Sequence, residues 1–218
     1  MNKTRPIVYT FLCVVALVLG FSLLATIQAL KIQKATEIIG EVTETIGEAE
    51  KSGDIASLKI LEDQQKIILQ EIESLTQLPV IPSSKNASLQ KTNIQQLQSL
   101  LPRLQVNINN IKALDLANEY AISARELRRK LENPNPVNSL VLGRSEMSEF
   151  SFTLCGWSKV AYNWDKAVIT LQGIDPNSAA GKIAQEKLGD YISNYEVAKK
   201  KAGNISKYDQ IRLEQGGC

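Results

Sequence analysis

Between Arg5 and Lys31 the chain carries no charged residue over the 25 positions from Pro6 to Leu30, the longest such run in its 218 residues. As a helix, Ile7 to Leu30 would extend about 36 Å, more than the ~30 Å hydrocarbon core of a bilayer. The run therefore predicts one tilted transmembrane span. Its apolar residues, among them Ile7, Val8, Phe11, Leu12, Leu17, Phe21, Leu24, Ile27 and Leu30, together favour insertion by about 4 to 8 kcal/mol, with Gln28 close to the edge. A cleaved secretory signal fits less well. Its apolar region is shorter, and an exit after Ala29 would put Ile27 where a small residue is preferred. Cys13 follows Phe11 and Leu12 rather than the small residues of a lipoprotein site.

Lys3, Arg5 and the α-amino group flank one side of the run, Lys31 and Lys34 the other. Basic residues near the ends of a span set its orientation. The expectation is an N-terminus in the cytoplasm and a C-terminal region that is extracytoplasmic, periplasmic or luminal. Ala16-x-x-x-Gly20 and Ala25-x-x-x-Ala29 have the spacing that lets two spans approach closely, so a homodimer is a candidate assembly.

The rest of the chain reads as helix. Ile32, Ala35, Ile39, Val42, Ile46 and Ala49 step by three and four residues, which continues the anchor into a juxtamembrane stalk. Gly53 is a stop signal and Asp54 an N-cap. Leu58, Leu61, Gln65, Ile68, Ile72 and Leu75 form the next seam, ended by Pro79 and Pro82. Beyond Ser83 and Ser84, Leu89, Ile94, Leu97 and Leu101 form another, and Pro102 predicts a kink or a short break. Ile108, Ile111, Leu114, Leu116, Ala117, Ala121, Ala124, Leu127 and Leu131 follow, apolar on more than one face, until Asn133-Pro134-Asn135-Pro136.

Ser145 opens the most regular helix: Met147, Phe150, Leu154, Trp157, Ala161, Trp164, Val168 and Leu171 keep steps of three and four throughout. Gly173, Asp175 and Pro176 make a turn, Ser178 can cap, and Ala184, Leu188, Tyr191, Tyr195 and Ala198 return. Lys199, Lys200 and Lys201 before Gly203 suit a helix C-terminus. Counting outward from the turn sets Trp164 beside Leu188 and Trp157 near Tyr195. The predicted fold class is all-α: an N-terminal transmembrane helix continuing into a stalk, then antiparallel helical hairpins forming a bundle. The expected segments are 1–30 tail and anchor, 31–53 stalk, 54–131 first hairpin region, 132–144 linker, 145–203 second hairpin region and 204–218 tail.

The two hairpins overlay. Leu58 to Leu75 fall on Leu154 to Leu171 at an offset of 96 residues, and Ser84 to Leu101 on Ser178 to Tyr195 at 94, which reads as a duplication. In the second hairpin, Trp164-x-x-Ala167-Val168-x-x-Leu171-x-x-Ile174, Pro176-x-Ser178 and Ala184-Gln185-x-Lys187-Leu188-x-x-Tyr191-x-x-Asn194 lead to Ala198. This pattern resembles cyanobacterial single-span membrane proteins with tetratricopeptide-like helical hairpins. The resemblance covers about a quarter of the chain and implies fold and compartment; it carries no catalytic residue. True tetratricopeptide repeats are shorter.

Chemistry is sparse. Histidine is absent, which removes the commonest general base and zinc ligand. Gly181-Lys182 fails as a phosphate loop, because Pro176 stands where glycine is needed and Ile183 follows the lysine. No catalytic, cofactor-binding or metal-ligating residue is predicted, and the expectation is that the chain is not an enzyme. Net charge is +2, so nucleic acid is not an expected partner. Arg125, Arg128, Arg129 and Lys130 form a basic cluster explained mostly by the helix dipole. Cys155 and Cys218 are candidates for a disulfide in an oxidising compartment. The expected partners are membrane lipid through residues 7–30 and a protein still to be identified. Trp157, Trp164, Tyr191 and Tyr195 are read first as an aromatic core and alternatively as a partner-binding stripe. Two functions follow: a membrane-anchored scaffold or adaptor, and, in second place for want of a second span or cytoplasmic output domain, an extracytoplasmic sensor or ligand-binding bundle.

Overall fold

The computed structural model describes the backbone of residues 4–79, 85–133 and 146–203, and the side chains of 14–79, 85–133 and 155–203. Among these residues there are five α-helices and no strand: α1 Thr4–Ser52, α2 Leu58–Thr76, α3 Lys85–Glu132, α4 Glu146–Gln172 and α5 Ala179–Ala202, with one 3-10 turn at Ile55–Ser57. The all-α class, the long first helix and the bundle are as the sequence predicts. The expected caps Ser83, Ser84 and Ser145 lie outside the described residues, as do residues 134–144 of the expected linker and the tail.

Two compact units divide the chain, Met1–Glu48 with Lys59–Val106, and Ala49–Leu58 with Asn107–Cys218. The three boundaries fall within α1, after the first residue of α2 and within α3. In the first unit, Ile32, Ala35, Val42 and Ile46 of α1 are buried along with Leu61, Ile68 and Leu75 of α2 and Leu97, Leu100 and Leu104 of α3. Residues 31–48 of the expected stalk are therefore one wall of a three-helix bundle, because their apolar seam has two neighbouring helices to cover it.

The seams of α2 and α3 are phased differently from the expectation. Gln64 and Glu71 are buried in place of Gln65 and Ile72, and Gln90 and Asn93 in place of Leu89 and Ile94. Polar partners explain this. Gln64 donates to Glu41 Oε1 at 3.2 Å, Glu71 pairs with Lys34, and Asn93 donates to the Ile32 carbonyl and the Thr36 hydroxyl. A buried amide with a partner is tolerated where an unpaired one is expelled.

Pro102 neither breaks nor ends α3. Proline removes the bond to the carbonyl four residues earlier, here that of Gln98. Pro102 and Gln98 are both exposed, so water can satisfy that carbonyl while Leu97, Leu100 and Leu104 hold the helix from its buried side.

In the second unit, α3 buries Ile108, Ile111, Leu114, Ala117, Ala121 and Ala124, while α4 buries Trp157, Val160, Ala161, Trp164, Ala167, Val168 and Leu171. Small alanines on one helix complement large rings on another. Ala180, Ala184, Tyr191 and Ala198 of α5 complete the core. The predicted stops hold. Gly53, at φ +59, ends α1, and Asp54 caps the 3-10 turn by accepting from the Ala56 amide. Ser178 caps α5 by accepting from the Gly181 amide at 2.9 Å, and Gly203, at φ +75, closes it. Helix ends also follow the duplication: α2 ends at Thr76 and α4 at Gln172, 96 residues apart, while α3 and α5 begin at Lys85 and Ala179, 94 apart.

Candidate functional site

Three of the four aromatics singled out in the sequence, Trp157, Trp164 and Tyr191, are buried, and Tyr195 is half-buried. They form a core with a charged lid rather than an open stripe. The register differs by about one turn from the expected pairing. The ring partner of Trp164 is Tyr191, with centroids 5.1 Å apart and planes at 61°, one turn further along α5 than Leu188. Trp157 lies under the Lys201 ammonium, 4.1 Å from its centroid, beyond the level of Tyr195. Six residues, Gly173 to Ser178, separate the two helices.

Arg125 covers this pair of rings, its guanidinium carbon 5.5 Å from the Trp164 centroid and 6.0 Å from that of Tyr191. The Tyr191 hydroxyl donates to Asn118 Oδ1 at 3.1 Å. Burial pushes its pKa above the ordinary 10, against the opposing pull of the Arg125 charge. One turn beyond Arg125, Arg128 donates through Nε to Glu132 at 3.1 Å and through Nη1 to Asn194 at 3.3 Å. Glu132 also accepts from Lys201 at 3.0 Å. That lysine bond first, and Arg128 after it, holds the Glu132 carboxyl below its usual range. The α3 cluster thus does more than answer the helix dipole: Arg125 and Arg128 have specific tertiary partners, and Arg129 and Lys130 occupy the last turn.

Trp164 Nε1 is buried without an acceptor among the described residues. Arg125 and Asn118 were not singled out as aromatic partners, since their helix spacing reveals nothing of what lies across from them. Among the described residues no group of three or more Cys, Asp or Glu side chains is placed to hold a metal ion. Cys155 is disulfide-bonded; the expected partner, Cys218, lies outside the described residues.

The second notable arrangement is at the start of the first unit. Gln28, expected at the edge of the span, is 1% exposed and donates to Gln90 Oε1 at 2.9 Å, while Gln90 donates to the Leu75 carbonyl at 2.6 Å. Immediately before it, α1 changes character. Every residue from Val14 to Leu24 is exposed, and all but Ala16, Gly20 and Ser22 are large and apolar. This helix is long and apolar enough to cross a membrane, its most apolar 18 residues reaching a mean hydropathy of 2.0.

Compared with protein-family models, curated proteins and solved structures, the chain matches none.

Proposed function

We propose that this chain is a single-pass, membrane-anchored helical scaffold that holds a protein partner, with residues 31–218 on the extracytoplasmic side. One observation carries the reading: from Val14 to Leu24, α1 is apolar and uncovered on every face, then becomes a bundle wall at Gln28 without a break in the helix. An apolar helix bare all round is suited to lipid, and a continuous helix holds the bundle directly against the membrane. The disulfide at Cys155 supports an oxidising compartment for the bundle. The resemblance of residues 164–198 to single-span proteins with tetratricopeptide-like hairpins supports the same reading. A partner would meet the charged rim of Arg125, Arg128 and Lys201 rather than the buried rings.

The test is an alkaline wash of native membranes followed by detergent solubilisation and capture of the full chain. Retention in the pellet and recovery of one stoichiometric partner are expected. Release of the full-length chain by the wash would remove the anchor. Retention without any partner would favour a sensor or ligand-binding bundle.

A further inference from the structure

The ion pairs and hydrogen bonds of the first unit fix how far its helices reach toward the span. Lys31 contacts Ser74, Lys34 contacts Glu71 and Glu41 contacts Gln64. Steps of three and seven along α1 are matched by equal steps back along α2, so the pairing is antiparallel and in constant register. Continued by four residues, it sets Leu78 level with Ile27. On the other side Gln28 is level with Gln90, which sets Leu89 level with Ile27 and Lys85 level with Leu23. The α2–α3 end therefore overlaps the last two turns of the charge-free run.

The length of that run makes the overlap consequential. Ahead of the overlap, Ile7 to Ser22 is a helical segment of about 24 Å, shorter than the ~30 Å core it must cross. A core that begins at Ile7 ends near Thr26, at the level of Leu78 and Leu89, and tilt would draw it further along α1. Leu89 is 40% exposed, although neighbouring Gln90 is buried. With Ile27, Leu30 and Pro79, also exposed, it extends the bare apolar surface of the span onto the bundle. Lys85 and Lys91 are exposed at the same end, where long cationic side chains can reach phosphate groups while their stems lie along apolar surface.

We infer that the first turns of α3, at Lys85, Leu89 and Lys91, are seated in the lipid headgroup and acyl boundary as a second membrane contact beside the span. The inference rests on α1 being the anchor. Its occupant is phospholipid, because the exposed surface continues that of the span and the Gln28–Gln90 bond fixes its depth.

The test places a diazirine analogue of leucine at position 89 of the full chain, with separate variants at positions 18 and 60, in vesicles of equal parts phosphatidylcholine and phosphatidylglycerol. After illumination, lipid adducts are read by mass spectrometry, with helicity checked by circular dichroism. Lipid adducts at 18 and 89, and at least tenfold fewer at 60, are expected. Adducts at 18 alone would leave the anchor standing and overturn the inference. Adducts at none of the three would overturn both. A crosslink from 89 to a second copy of the chain, without lipid, would assign the surface to a dimer instead.

Discussion

Gln28 and Gln90 are 62 residues apart in sequence and share a 2.9 Å hydrogen bond in the buried start of the first unit. Gln90 contributes a second bond, to the Leu75 carbonyl, so one residue ties three helices. Gln28→Leu should cost about 1–3 kcal/mol, since it leaves the Gln90 oxygen buried and unpaired. The double variant Gln28→Leu with Gln90→Leu should recover most of that loss, because the Leu75 carbonyl also accepts from the Leu78 amide. Denaturant titration in detergent distinguishes these outcomes; a double variant weaker than the single would show the pair to be favourable in itself.

Trp164 separates packing from polarity. Trp164→Ala should cost about 3–5 kcal/mol, enough to unfold a marginal helical unit. Trp164→Phe removes an N–H that has no acceptor among the described residues, and should cost less than half as much. Trp157→Ala, in the same core, should also cost about 3–5 kcal/mol. Thermal melts of the solubilised protein check all three. A Trp157→Ala variant that melts like the parent yet loses its captured partner would return that residue to a recognition surface.

Glycines give opposite signs according to what surrounds them. A β-carbon on Gly181 would run into the Asp175 carbonyl oxygen, backbone against backbone, so no rotamer change relieves it. Gly181→Ala should cost about 3 kcal/mol or more by forcing the turn open. On Gly53 it would meet the Ala180 amide nitrogen at 2.5 Å, in addition to a positive φ. Gly189, inside α5 with nothing within 4 Å, should gain about 0.5–1 kcal/mol on substitution by alanine. Paired melting curves of Gly181→Ala and Gly189→Ala should therefore move in opposite directions.

The two shifted groups of the second unit act at opposite ends of the pH scale. Glu132 has a lowered folded pKa, so its contribution is present above its ordinary value of 4.5 and lost as pH falls through the folded value. Glu132→Gln should flatten the acid limb of a stability profile and leave pH 7 to 9 parallel to the parent. Tyr191 has a raised folded pKa, so its effect is complete below 10 and lost as pH rises from 10 through the folded value. In an ultraviolet titration, Tyr191→Phe should remove a tyrosine signal that ionises above the ordinary value of 10.

Thiol chemistry reports on compartment. Cys155 should resist maleimide in intact cells and become labelled by a membrane-impermeant maleimide only after an impermeant reductant. Labelling that requires permeabilisation of the cells would place the bundle in the cytoplasm.

The sequence by itself determined the all-α class, the apolar helix and the stops at Gly53, Asp54, Ser178 and Gly203. Each depends on neighbours within a few residues: periodicity, charge, a capping oxygen or a positive φ. The offsets of 96 and 94 read from its two hairpins reappear in the helix ends. What faces what was decided by tertiary structure. Burial of Gln28, Gln64, Glu71, Gln90 and Asn93, against the apolar pattern, depends on partners from 15 to 62 residues away. Pro102 stays helical with Gln98, whose carbonyl it frees, exposed, and Trp164 meets Tyr191 across the hairpin of α4 and α5. Helical periodicity specifies which side chains share a face, but the choice among neighbouring faces turns on a few hydrogen bonds and ring contacts across the bundle, which appear only when the helices are packed.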